Sequence, residues 1–297
     1  MSRLIFAALT SACIVNSAAA QRVAGRDLLD FPIGLAGEAP ALSSQMTAGL
    51  WNPATSALDP GVRGAFGVAG LSTPQEQGVR LVLLGASYRL HDGLTASVSL
   101  GQASVSDILL TGTDPQSLGS DVAYGTKVIS TGLSGERKNV RFGLAGRYRS
   151  GVLDTDHSSG FSLDGGAIVD RLAGTPVRLA LSTFLLTPWR KSQEATYMAA
   201  ADVPLVARDS IFVVRGGYSM SRTAAHGHEE YAFATSSYGP LDISGGLLQS
   251  TIFGSTSHKW RLGCGLRYAS YTVAVGREDG AAGLPGSFQF LLTRTVR

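Results

Sequence analysis

The stretch Lys259–Tyr268, KWRLGCGLRY, decides the fold. Trp260, Leu262, Cys264, Leu266 and Tyr268 share one parity, and Lys259, Arg261, Gly263, Gly265 and Arg267 share the other. Successive side chains of a strand point to opposite faces, so one face here is apolar and the other polar or small. A register slip of one residue would invert both faces. The same period recurs at Leu94, Ala96, Val98 and Leu100 against Thr95, Ser97 and Ser99. It returns at Val140, Phe142, Leu144 and Tyr148 against Asn139, Arg141, Arg147 and Arg149. Near the end of the chain, Phe288, Phe290 and Leu292 alternate with Ser287, Gln289 and Thr293.

Extended along the chain, the period predicts strands at 62–71, 78–90, 93–105, 122–135, 138–151, 157–171 and 175–187. It continues with 194–205, 209–222, 228–238, 240–252, 257–268, 270–278 and 286–296. Strand 122–135 alternates least well. Many of these reach the roughly 9–11 residues that a tilted strand needs to cross a bilayer. Strands of soluble proteins average about 5–6, which argues against a secreted β-sandwich of the same period. The predicted fold class is therefore all-β, an antiparallel transmembrane β-barrel of about fourteen strands. Tight turns are expected at 137–139, 173–175 and 238–240, and longer loops at 106–121, 187–194, 223–228 and 279–285. Short turns at one rim and long loops at the other are usual for such barrels. Tyr88, Tyr148, Trp189, Tyr218, Tyr238, Trp260, Tyr268 and Tyr271 fall near predicted strand ends, where an aromatic girdle would sit.

Composition agrees. The chain holds 37 Gly and 16% charged residues at a mean hydropathy of +0.14. Its start, MSRLIFAALTSACIVNSAAAQ, reads as a secretory signal: Arg3, an apolar run from Leu4 to Val15, then Ala18-Ala19-Ala20 before cleavage at Gln21. A lipoprotein reading of Leu9–Cys13 competes, with a leucine-to-cysteine spacing one residue too long. Beyond residue 20, 24 Lys and Arg face 22 Asp and Glu. That balance gives no basis for a nucleic-acid partner. Cys264 is then the only cysteine, which excludes an intrachain disulfide and a Cys-based zinc site. The expected division is a signal peptide at 1–20, an N-terminal plug segment at 21–61 and a barrel at 62–297, exported to the bacterial outer membrane.

The plug reading rests on Gly49–Pro60, GLWNPATSALDP. Asn52 can cap a short helical turn by accepting from a backbone N–H two or three residues on. Pro53 suits the first helical position, where its missing N–H costs nothing. Pro60 biases Asp59 away from helix and ends the turn. Trp51 is the adjacent apolar anchor, and the competing reading of the Asn-Pro pair is an ordinary surface turn.

A leader, a Gly/Ala-rich segment carrying Trp51-Asn52-Pro53-Ala54, and then some fourteen long strands resemble the FadL-type transporters and their relatives PorV and PorQ. Arg147–Leu172, RYRSGVLDTDHSSGFSLDGGAIVDRL, is similar to that family's strand–loop–strand pair ending in an Asp-Gly-Gly strand. The resemblance implies an outer-membrane barrel, plugged around the Asn-Pro turn and surrounded by outer-membrane lipid. Members either admit hydrophobic compounds or serve type IX protein secretion. Passive uptake of a hydrophobic or amphipathic small molecule is the first expectation, and a scaffold holding a secretion-system protein through its loops is the alternative. The chain is shorter than most FadL-type members.

The polar face carries Arg63, Arg141, Arg147, Arg149, Arg178, Lys259, Arg261 and Arg267. Charges facing lipid at mid-depth are costly, so these are expected in the lumen. Buried arginines need partners, and Asp164, Asp170, Asp202 and Asp242 are the available carboxylates. The network is either structural or lines an anion-attracting channel. Ser, Thr, Gly and Arg are expected to dominate the inward positions. His226-Gly227-His228-Glu229-Glu230 carries metal-ligand types, but in an expected loop and without a third ligand, so no metal site is assigned. No G-x-S-x-G elbow occurs, and His157-Ser158-Ser159 reads as a loop tip, so no catalytic residues and no cofactor are assigned.

Overall fold

A computed structural model describes residues 23–297 apart from 32, 75–77, 92, 107, 112–116, 189–193, 209–210, 224–226, 253–254 and 281–285. The expected signal peptide, Trp189 and His226 lie outside the described residues. The strands are β1 (Gly64–Ser72), β2 (Val79–His91), β3 (Leu94–Val105), β4 (Leu109–Thr111), β5 (Ser117–Asp121), β6 (Tyr124–Arg137), β7 (Val140–Leu153) and β8 (Asp156–Val169). They continue as β9 (Arg178–Phe184), β10 (Thr196–Arg208), β11 (Phe212–Thr223), β12 (Gly227–Tyr238), β13 (Leu241–Ile252), β14 (Ser255–Tyr268), β15 (Tyr271–Glu278) and β16 (Ser287–Val296). Fourteen of them form one closed antiparallel barrel. The exceptions, β4 and β5, make a separate hairpin between β3 and β6. Closure is made by β1 on β16, with Gly64 opposite Val296 and Ser72 opposite Phe288.

Alternation sets the two faces. Phe142, Leu144, Tyr148, Trp260, Leu262 and Leu266 are exposed on the outside, while Arg147, Arg149 and Arg261 are buried. An apolar exterior of this extent is a hydrocarbon-facing surface, not one that water tolerates. Tyr88, Tyr238, Tyr268 and Tyr271 are exposed near the rim where the connections 92–93, 138–139, 239–240 and 269–270 lie. This is the turn rim; the opposite, loop rim carries the connections 106–123 and 185–195.

Strand 122–135, which alternates least well, is a full member of the barrel, β6, whose inward face includes the buried Val128 as well as Thr126, Ser130 and Ser134. Three expectations need correction. Strand 175–187 is cut to seven residues in β9. The tight turn expected at 173–175 is present, with Thr175 N donating to Leu172 O at 3.0 Å across Ala173 at φ 51 and Gly174 at φ 80. After Phe184 the chain leaves the ladder at Leu185, which takes φ 57, and Pro188 has no N–H to resume it. His157-Ser158-Ser159 and His228-Glu229-Glu230 lie on β8 and β12, not in loops. The inward face is also less polar than expected, with Leu71, Leu81, Leu83, Ile168, Phe233, Leu248 and Leu291 all buried.

What those inward apolar residues pack against is the N-terminal segment. Leu28, Leu29, Ile33, Leu35, Leu42, Leu50 and Trp51 share one buried cluster with them. Among its described residues the segment has three 3-10 turns, Asp27–Asp30, Met46–Leu50 and Pro53–Ser56, as its helical structure. It is fastened by side chains of the wall. Gln289 Oε1 accepts from Leu35 N at 3.2 Å, Ser244 Oγ donates to Ala36 O at 2.7 Å, and Tyr231 Oη donates to Gly37 O at 2.7 Å. At the loop rim Ala24 N donates to Ser158 Oγ, and at the turn rim Arg89 donates to Leu58 O and Val62 O. The segment therefore crosses the lumen from one rim to the other before entering β1. Buried backbone without regular structure survives there because the wall supplies its hydrogen bonds.

Candidate functional site

The Asn-Pro turn sits against β7 and β8. Gly143 and Gly166 face each other across that ladder, and a Cβ on either would collide with the Asn52–Ala54 stretch. Those two glycines are the floor on which the turn rests, which gives a physical use to the Asp164-Gly165-Gly166 sequence. Asn52 is fully buried, its Oδ1 accepting from Ala54 N at 3.0 Å and its Nδ2 donating to Ala41 O at 2.7 Å. Pro53 opens the 3-10 turn, and Ala54 is buried beneath it. Trp51 donates from Nε1 to Ile33 O at 3.2 Å and meets the Phe184 ring at 5.0 Å between centroids.

Phe184 is the hub of this region. The guanidinium of Arg147 lies over its ring at 4.9 Å and that of Arg26 at 5.4 Å. Arg147 Nε stands 2.6 Å from Asp164 Oδ2, and both side chains are fully buried. The other Asp164 oxygen, Oδ1, accepts from Leu186 N at 2.9 Å. The carboxylate thus ties the chain just beyond β9 to the lumen wall.

Along this line the wall changes character. On one side of β8 the ladder to β7 runs the full length, from Val169 opposite Val140 to Asp156 opposite Leu153. On the other side only Gly166–Val169 pair with β9. Beyond them the contacts are isolated: Gly165 N to Thr183 Oγ1 at 3.0 Å and Leu163 N to Leu186 O at 2.8 Å. A cavity of about 820 Å³ opens at this seam. Its lining combines outward residues (Leu144, Leu163, Leu181, Tyr197, Met220) with the inward Met198, Asp164 and Ser182. Gly166, the seat of Asn52, also borders it. An apolar cavity with a few polar groups at one end is the ordinary form of a small-molecule site.

The remaining charges lie elsewhere. Arg149 pairs with Glu194 and donates to Val23 O at 3.1 Å. Arg261 pairs with Glu278 at 2.7 Å, with Lys259 also on that carboxylate at 3.3 Å. Asp202 takes both Arg178 and Arg215. Arg141 meets Asp170 at 2.9 Å and Arg267 meets Asp242 at 2.9 Å; Arg267 is exposed, with half its side chain in solvent. Glu194, Glu278 and Arg215 were not among the charges read from the sequence. Parity could have found Glu278, which continues the inward row Ala274, Gly276 of β15. In the N-terminal segment, burial pushes the Glu38 carboxyl above its usual range, against hydrogen bonds from Ser43 Oγ and Ser44 N at 2.7 Å each. Among the described residues no group of three or more His, Cys, Asp or Glu side chains is placed to hold a metal.

No protein-family model matches the chain, and no curated protein does. Solved structures do match in fold. The Pseudomonas putida toluene transporter TodX aligns with a TM-score of 0.59 at 9% identity, over 89% of this chain and 96% of that one. The CymD monoaromatic hydrocarbon channel aligns with a TM-score of 0.56 at 11% identity, over 89% of this chain and 98% of that one. Identities this low show a shared barrel architecture.

Proposed function

We propose that this chain is a FadL-type barrel of the bacterial outer membrane that admits a hydrophobic small molecule. Residues 21–61 act as its plug. One observation carries the reading: the apolar cavity at the β8–β9 seam is lined from both faces of the wall and ends beside the Asn52 turn. A molecule dissolved in hydrocarbon would reach that cavity from the outward residues without crossing water. The architecture shared with a toluene transporter and a monoaromatic hydrocarbon channel supports the same direction.

The test is uptake of the neutral fluorophore N-phenyl-1-naphthylamine by cells producing the chain. Uptake should exceed that of cells lacking it. Ala199→Trp, which fills the cavity from the wall side, should return the rate to background while the barrel still migrates as a heat-modifiable species. Equal uptake by wild type and Ala199→Trp, or none above background, contradicts the reading.

A further inference from the structure

We propose that the molecule taken into the wall cavity is apolar over most of its body but carries one uncharged oxygen, as an alcohol, ketone or phenol does. The inference rests on the uptake reading and names the substrate class of the same site.

Its starting point is a concentration of polar atoms that lack hydrogen-bond partners. Ten buried side-chain nitrogen and oxygen atoms among the described residues make no hydrogen bond, and six of them belong to Arg147, Ser162, Asp164 and Ser182; two of the six, Arg147 Nε and Asp164 Oδ2, are joined as an ion pair. These four are neighbours on the inner wall. Ser162 lies opposite Arg147 in the β7–β8 ladder, and Asp164 is the next inward residue of β8. Ser182, on β9, is opposite Gly166. Asp164 and Ser182 are the inward polar side chains of the cavity lining, which is otherwise mostly apolar apart from the outward Thr183 and Arg222. Arg147 Nε and Asp164 Oδ2 face each other at 2.6 Å, which leaves the guanidinium Nη1 and Nη2 groups as donors with no acceptor. Buried polar groups in folded proteins are nearly always partnered, so a cluster of orphans at one end of an apolar cavity marks where a ligand's polar atom belongs.

The charge of that atom follows from the pair beside it. Arg147 and Asp164 neutralise one another, so the inner end of the cavity has no net charge to offer; Arg222, the other charge in the lining, stands on the outward face opposite Tyr197. A carboxylate would bring a second negative charge against Asp164, and an ammonium a second positive charge against Arg147. Each would also lose its hydration on entering an apolar cavity. A neutral oxygen accepts from Ser182 O–H without either penalty, and a hydroxyl can also donate to Ser182 Oγ. A pure hydrocarbon leaves Ser182 unpartnered, and sites built to hydrogen-bond a group discriminate against analogues that lack it.

The experiment is calorimetric titration of the purified full chain in lipid nanodiscs, with empty nanodiscs as the blank. The probes are 1-octanol, n-octane and octanoate. The expected order is 1-octanol tightest, with both others weaker by roughly fivefold or more, about the worth of one hydrogen bond. Ser182→Ala should bring 1-octanol to the level of n-octane and leave n-octane unchanged. Ser182→Thr, which keeps the hydroxyl, should retain the preference and guards against a variant that merely misfolds. The inference is overturned, with the uptake reading intact, if n-octane or octanoate binds as tightly as 1-octanol or if Ser182→Ala weakens all three alike. Absence of binding by all three, in protein that remains heat-modifiable, overturns the uptake reading and this inference with it.

Discussion

Strand β8 has two seams, and they differ. Toward β7 it is paired along its whole length, and Gly143 and Gly166 give the ladder a flat inner floor on which the Asn52 turn lies. Toward β9 it is paired only over Gly166–Val169, and a cavity takes the place of the ladder. Both seams belong to the same sheet and the same strand, so chemistry must distinguish them. On the closed side, small residues let a second layer of chain approach the backbone. On the open side, Leu185 turns into the left-handed region and Pro188 cannot donate, so β9 ends early. A cavity thus forms in the barrel wall where one neighbour is shortened, with no strand removed.

The comparison can be broken most forcefully at Arg147, which joins the two seams through Asp164. Arg147→Met leaves a buried carboxylate unpaired and should cost about 3–5 kcal/mol in unfolding. Adding Asp164→Leu should recover most of that loss, because a buried pair replaced by apolar groups is often neutral. A single variant as stable as wild type would mean that the pair does not hold the wall.

The next effect is steric. Gly166→Val puts atoms where Asn52 lies and should cost about 1–3 kcal/mol, as overpacking usually does. Gly165→Val faces Leu144 at an ordinary van der Waals distance of 3.5 Å and should be tolerated. Limited proteolysis separates the outcomes: Gly166→Val should expose residues 23–61 to protease, and Gly165→Val should not. Equal exposure would mean that the closed seam is no seat.

A smaller effect is expected from the cap itself. Asn52→Ala removes the bond to Ala54 N and leaves Ala41 O without its donor, at about 0.5–2 kcal/mol. Protease accessibility of residues 23–61 should rise while heat-modifiability stays, because the barrel ladder is untouched. Unchanged accessibility would make the Asn-Pro turn an ordinary loop.

The smallest effect is expected at Glu38, in the N-terminal segment. Its carboxyl is raised by burial, so the seated segment binds that proton more tightly than the free chain does. Seating should therefore strengthen as pH falls from neutral through the raised range, and weaken again as pH rises. Glu38→Gln should flatten the response in the same proteolysis assay; an unchanged pH profile in that variant would assign the effect elsewhere.

Much of this was legible in the sequence, and the reason is the period. Each inward or outward assignment on β3, β7, β14 and β16 needed only parity, because lipid and lumen impose opposite demands on alternate residues. The strand count followed from the same pattern. The shortening of β9 did not, since Phe184-Leu185-Leu186-Thr187 reads as a continuing strand and only Pro188 hints at a stop. Inward apolar residues such as Val128 and Ile168 blurred the alternation, because a second layer of chain covers them and no local signal announces it. Asn52 as a cap was readable from three neighbouring residues. The cavity was not, for it is assembled from five strands and exists only once their register is known.

The central claim is that the cavity passes through the wall, and photolabelling tests it most directly. The purified barrel in nanodiscs would be irradiated with a diazirine-bearing hydrocarbon and the labelled residues mapped by mass spectrometry. Met220 faces outward and is half exposed, whereas Met198 faces inward and is buried. Label on both methionines, lost from Met198 in Ala199→Trp, is the predicted result. Label on Met220 alone would confine the hydrocarbon to the lipid face and contradict the account.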